Sequence, residues 1–209
     1  MSIPSSSLPS EESNTIEFKD SFDPRCWSEL IKDIVAIANS GGGQIYVGLF
    51  EDGRPSGADV SDLLSTDLAD IVNKIHALTD VNFSNLQVLP VVAGAITLVR
   101  IEIGPTTALL VFGKAGNYTD ASGKSKCAFQ PGTVYVRHGP KSEPATTDDL
   151  RSIIEARVVK DRQSLLANLR QVVEAPANAI VTVGVPIPIT LEQAVAGPYS
   201  VRLVEANDA

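Results

Sequence analysis

The segment Ile31 to Phe50, IKDIVAIANSGGGQIYVGLF, constrains this chain more than any other. Leu30, Ile31, Ile34, Val35, Ile37 and Ala38 follow helical spacing. Past three glycines, GQIYVGLF reads as a buried strand. Three of the chain's 15 glycines fall at that junction. Glycines after a helix supply positive φ and a close approach of helix to strand. Gly41 to Gly43 are therefore expected to hinge a helix onto the strand it precedes, with Asn39-Ser40-Gly41 ending the helix. Helix then strand is the reverse of the order that cradles nucleotide phosphates.

The flanks extend this unit. NTIEFKDSF reads as a short strand, Ile16 and Phe18 on one face and Glu17 and Lys19 on the other. On that reading Glu17 points away from the core. Asp23-Pro24 opens the helix. Residues 63–78 predict a second helix, LQVLPVVA and AITLVRIEIG a strand pair, and TALLVFG and GTVYVRHG further strands. KAGNYTDASGKSK reads as a polar loop. Thr147 is a candidate cap for a following helix, with Asp148 and Asp149 at the positive end of its dipole.

These elements predict an α/β fold, a twisted mixed sheet with packed helices. Residues 1–10 are Ser/Pro-rich and read as disordered; 11–173 form the main domain; 174–209 form a linker and a short β-like appendage.

Composition narrows the function classes. The net charge is −8 over 209 residues, which disfavours nucleic acid unless Lys and Arg cluster locally. Two cysteines and two histidines cannot build a repeated-pair zinc finger, and they fit a reducing, cytoplasmic compartment. No stretch reaches the length of a membrane span, so no membrane partner is expected. Gly123-Lys124-Ser125 is similar to part of a phosphate-binding loop, but Tyr118 stands where that loop needs glycine, and strand-like sequence follows. No ATP binding is expected.

Read in order, ESNTIEFKDSF, IKDIVAIANSGGGQIYVGLFEDGRPSG and GTVYVRHGPKSEPATTDDL resemble the schlafen Alba-type domain, also labelled a divergent AAA or DNA-binding domain. The resemblance covers roughly residues 12–155. It implies an α/β lobe that binds nucleic acid, tRNA or DNA. In the nuclease members it implies metal-assisted RNA cleavage, notably of tRNA, with Mg²⁺ or Mn²⁺ held by converging carboxylates. Those members carry two glutamates five apart around the first strand, which Glu12 and Glu17 match. Their third acid follows the glycine-linked strand as Gly-Val-Asp-Asp. This chain reads Gly48-Leu49-Phe50-Glu51, so the slot falls on Phe50. Glu51 or Asp52 fills it only if the strand exit carries a bulge. The catalytic and metal candidates are thus Glu12, Glu17 and Glu51. Lys19, Arg137, His138 and Lys141 are the candidate phosphate contacts, and Tyr118 and Tyr135 candidate base-stacking rings. The zinc site of human-type schlafens is not expected, its cysteines being missing. Two lobes build the horseshoe of the nucleases, so a homodimer is expected here. Three functions stay open: nucleic-acid binding with weak or absent cleavage, a metal-dependent endoribonuclease, and an acidic assembly or regulatory module.

Overall fold

The computed structural model describes residues 8–120, 122–174, 179–184 and 200–205. Its contacts divide the chain into two units, Met1–Ala145 and Thr146–Ala209. The sequence reading put that boundary at residue 173, after the long helix; the helix instead groups with the C-terminal unit.

The first unit begins with a parallel β–α–β crossover. β1 (Ile16–Lys19) leads through a short 3-10 turn, Pro24–Cys26, into α1 (Trp27–Asn39) and then β2 (Gly43–Val47). The Asp23 carboxylate accepts from Arg25 N at 2.9 Å and starts the turn. α2 (Ser61–Ser65) and α3 (Leu68–Thr79) follow, then the hairpin β3 (Leu86–Ala93) and β4 (Ile96–Ile103). The sheet order is β1-β2-β4-β3, with β1 parallel to β2 and the other pairs antiparallel. Two further hairpins complete the unit: β5 (Asn117–Thr119) with β6 (Ser125–Cys127), and β7 (Tyr135–His138) with β8 (Lys141–Pro144).

Both faces of the sheet are packed. Ile45, Val47, Val99 and Ile101 meet Ile34 and Ile37 of α1 in the larger core. Phe18, Tyr46, Val91 and Leu98 form a second cluster. Burying the α1 stripe supplies most of what holds that helix, since a helix of this length is marginal alone.

The triple glycine acts as expected. Gly42 has φ 98° and its N–H returns to Ile37 O at 2.9 Å, closing the helix end. A Cβ at Gly42 would lie 2.8 Å from Ile103 O, and one at Gly43 would collide with Thr15 O. The strands on either side come too close for any side chain.

Three local readings are corrected. The single helix over residues 63–78 is two, because Asp67 caps a new start by accepting from Ala69 N at 2.9 Å. TALLVFG makes only one β-bridge, Val111 to Val134. Leu110 N instead bonds the Asn39 side chain at 2.9 Å, which diverts the backbone from a ladder. KAGNYTDASGKSK is a hairpin. The Asp120 carboxylate gathers Ser122 N, Lys124 N and the Ser122 hydroxyl at 2.6–3.0 Å, and these bonds hold its carboxyl far below the usual range.

The second unit holds α4 (Thr147–Val173) and an antiparallel pair, β9 (Ala179–Gly184) and β10 (Ser200–Glu205). Thr146, not Thr147, is the cap. Its hydroxyl accepts from Asp149 N at 3.2 Å while the Asp149 carboxylate accepts from Thr146 N at 2.7 Å, a reciprocal capping box. The disorder expected for residues 1–10 falls mostly outside the described residues, but Leu8 packs against the second cluster. Among the described residues no helix is long and apolar enough to cross a membrane.

Candidate functional site

The candidate acids sit on an unexpected face. Glu17 pairs in register with Ile45 and Lys19 with Val47, so both turn toward α1 rather than solvent. An edge strand can place charges there because α1 and β7 answer them. Lys19 Nζ lies 2.6 Å from the Asp33 carboxylate of α1 and 3.6 Å from Glu17. The Arg137 guanidinium, with a fully buried side chain, donates to Glu17 Oε2 at 2.6 Å. It also donates to the Ser142 hydroxyl at 3.1 Å and to Ser13 O at 3.0 Å. Burial pushes the Glu17 carboxyl above its usual range and Asp33 adds to this, while Lys19 and Arg137 oppose it. Burial alone would lower Lys19, yet Asp33 and Glu17 hold its ammonium above the usual value.

Arg137 is therefore a strut between β7 and the N-terminal strand, and its buried guanidinium is out of reach of a phosphate. Glu12 is also committed: its carboxylate accepts from Phe18 N at 2.8 Å. Glu51 stands exposed beyond β2 in the lining of a cleft of 840 Å³, with Lys19, Asp20, Phe50 and Asp52. Asp52 holds Arg54 at 2.7 Å. Among the described residues no three His, Cys, Asp or Glu side chains gather as a metal ion requires. Glu12, Glu17 and Glu51 do not fit a divalent ion as arranged, because two of the three already face an N–H or a cation of this chain. Phe50, at the third slot, is 44% exposed.

His138 pairs with Glu143 at 3.0 Å near the turn of the β7–β8 hairpin, whose second strand carries Lys141. Tyr135 is held in the core, its hydroxyl donating to Ala128 O at 3.1 Å and its ring edge-on to Phe112 at 5.9 Å. Tyr118 bonds Glu29, and that bond pushes its phenol up to about 12. Packing takes the Tyr135 ring out of reach of a base, while Tyr118 is tethered by its hydroxyl with its ring partly exposed. Of the two thiols, Cys127 is exposed and Cys26 half-buried.

Two residues that matter here were read only as a helix ending. Asn39 donates to Leu110 O and Tyr135 O, both at 3.0 Å, and the Ser40 hydroxyl accepts from Arg137 N at 2.8 Å. Together they seat β7, and thus Arg137, against α1. An Asn-Ser pair closing an otherwise apolar helix is the signal the sequence offers, and the structure buries Asn39 alone of the two. The β5–β6 hairpin is the stretch that reads as a polar loop. It exposes Lys124 and Lys126, with Lys114 just before it. Ser125 opens strand β6, so no helix N-terminus follows Gly123-Lys124-Ser125.

The sequence profile of the Schlafen, AlbA_2 family matches residues 12–146, which includes every part of this network. The chain belongs to the Schlafen AlbA_2 family. Its profile ends where the first structural unit ends. No curated protein sequence matches the chain. Among solved structures it is similar to the DIP2311 protein from Corynebacterium diphtheriae, at 14% identity and a TM-score of 0.44, over 69% of this chain. The matched region spans 24% of that protein's length. Membership of the AlbA_2 family supports a nucleic-acid-related role in general terms.

Proposed function

We propose that the AlbA_2 unit binds RNA or DNA as a homodimer and cleaves it slowly or not at all. Family membership supports the binding. The Glu17–Arg137 pair carries the second half of the reading, because a carboxylate held at 2.6 Å by a buried guanidinium is poorly placed to ligate a metal. An apolar ring at Phe50 supplies no ligand in the third slot. Losing one such electrostatic element costs on the order of a hundredfold in rate.

With Arg137 buried and Lys19 tied to Asp33, the phosphate contacts fall to Lys124 and Lys141, and to Lys126 and His138 once these exchange their exposed ion pairs with Asp120 and Glu143, each at 3.0 Å, for a phosphate. The hairpin sets Lys124 and Lys126 against one acid, Asp120, a small basic excess on an acidic chain, which nucleic-acid binding favours. The test is fluorescence anisotropy with tRNA and with duplex DNA across a salt series. Replacing Lys124 and Lys126 by Ala is expected to weaken binding uniformly and to reduce the salt slope by about 2. Salt-independent or undetectable binding favours an acidic assembly module instead.

One observation favours the endoribonuclease reading. The bond from Phe18 N to Glu12 holds that carboxylate beside the strand that carries Glu17. Incubating tRNA with the chain and Mn²⁺ or Mg²⁺ decides between them. Little cleavage, raised by Phe50→Asp, supports the binding reading. Robust cleavage that disappears in Glu17→Gln or Glu51→Gln supports the nuclease.

A further inference from the structure

We propose that the cleft beyond β1 and β2 takes an unpaired guanine of a single-stranded RNA or DNA, stacked on Phe50 and read by the Glu51 carboxylate. The inference deepens the nucleic-acid reading above and rests on it.

The cleft lies where this kind of fold collects ligands. Its walls come from the exits of the two parallel strands, residues 20–23 after β1 and 49–54 after β2, and from the first turn of α1. In an open α/β sheet ligands bind outside the carboxyl ends of such strands. Its 840 Å³ falls within the roughly 300–1,000 Å³ of pockets that enclose small organic groups. Phe18, Phe22, Leu30 and Leu49 supply an apolar lining, and Phe50 joins them with its side chain still 44% exposed.

The turn that carries Phe50 is tied at both ends. Phe50 N donates to Arg54 O and Gly53 N to Phe50 O, both at 2.9 Å, and Leu49 bridges to Pro55. Arg54 is held by Asp52 at 2.7 Å. Asp52 is thus answered, whereas among the described residues the Glu51 carboxylate meets no donor. An aromatic ring and an open acceptor therefore occupy adjacent positions of one ordered turn beside an apolar recess.

Charge keeps the phosphate backbone out of that recess. Five acids line it against two cations, and Lys19 and Arg54 are already paired with Asp33 and Asp52. What enters is an uncharged ring that donates. Stacking suits every base, so the acceptor chooses among them. Guanine sets N1–H and N2–H side by side, and one carboxylate accepts both. Uracil and thymine flank their single N–H with carbonyls, and adenine and cytosine place a ring acceptor beside the amino group, which a carboxylate repels. A Watson–Crick pair uses the guanine N1–H, so the base is read only when unpaired. The backbone has its own anchor next to the cleft. Glu29 of the cleft wall bonds Tyr118 of β5, and Cys26 Sγ lies 3.9 Å from Thr119 O, which packs the hairpin of Lys124 and Lys126 against that wall.

Fluorescence anisotropy with end-labelled oligouridylates tests this, in EDTA so that no metal bridge contributes. A strand with one central guanine is expected to bind about tenfold tighter than the all-uracil strand, with inosine, which lacks the 2-amino group, between them. Duplexes with and without that guanine are expected to bind alike. Phe50→Ala is expected to weaken the guanine strand about tenfold, and Glu51→Gln to bring the guanine and uracil strands level, both with an unchanged urea midpoint. Equal binding of the two strands by the wild type, or a preference indifferent to both substitutions, overturns the guanine site. Binding that still needs Lys124 and Lys126 then leaves the nucleic-acid reading standing, and the absence of salt-dependent binding overturns both. An oligoarginine peptide that displaces the strand through Phe50 and Glu51 assigns the cleft to a basic protein segment instead and overturns the guanine site.

Discussion

α1 is strongly amphipathic and α4 only weakly so, and their apolar side chains end in opposite environments. In α1, Leu30, Ile34 and Ile37 are at most 2% exposed, because a sheet stands opposite them. In α4, Leu165 and Leu169 are at least 50% exposed. The polar residues reverse as well: Asp33 of α1 lies buried against Lys19, while Asp148 of α4 pairs with Arg151 in solvent at 2.9 Å. Apolar residues at helical spacing therefore show that a helix has apolar side chains to cover, not what covers them. Partner surface supplies the free energy, at roughly 25 cal/mol per Å² of apolar area removed from water.

The largest expected effect lies in the buried ion network. Arg137→Ala leaves Glu17 enclosed without its main cation and is expected to cost about 3–5 kcal/mol. Arg151→Ala, in the exposed pair on α4, is expected to cost less than about 0.5 kcal/mol. Urea unfolding of both variants measures the contrast, and equal losses would erase it.

Next comes the apolar comparison. Ile34→Ala is expected to cost about 2–5 kcal/mol through the cavity it opens under the sheet. Leu165→Ala is expected to leave the unfolding midpoint of the first unit unchanged. A large shift there would show that the α4 stripe is covered within its own chain.

A smaller effect tests the α4 boundary. Thr146→Ala removes the capping hydroxyl and is expected to cost about 1 kcal/mol of helix stability, with Thr147→Ala near neutral. Hydrogen exchange over the first turn distinguishes the two.

The smallest effect is a pH dependence. The Tyr118 phenol, raised from 10.0 to about 12 chiefly by its bond to Glu29, favours the protonated folded state. Its contribution is fully present below pH 10.0 and is lost as pH rises toward about 12. Ultraviolet titration of the wild type against Tyr118→Phe is expected to show one late-titrating tyrosine. The stability gap between the two chains should close over the same window.

Much of the fold was legible in the residues because it depends on neighbours in sequence. The α1 stripe, the glycine hinge and the β3–β4 hairpin follow from period, positive φ and turn chemistry within a few positions. The break at Asp67 and the cap at Thr146 are also local, but they turn on which of two adjacent polar side chains reaches a free N–H. The hydrogen bonds of Asp120 likewise made a hairpin from a stretch that reads as loop.

The site was less legible. Sequence alone determined that Glu12 and Glu17 flank one strand and that Phe50 interrupts the acid pattern. Only the tertiary structure decided that Glu17 and Lys19 face α1, that Arg137 is spent on Glu17 rather than on a ligand, and that α4 shows its apolar side to solvent. Glu17 and Arg137 are 120 residues apart in the chain. Whether a charge is a ligand, a strut or a surface group depends on what the fold sets beside it and how much water it excludes, and neither quantity is written in local sequence.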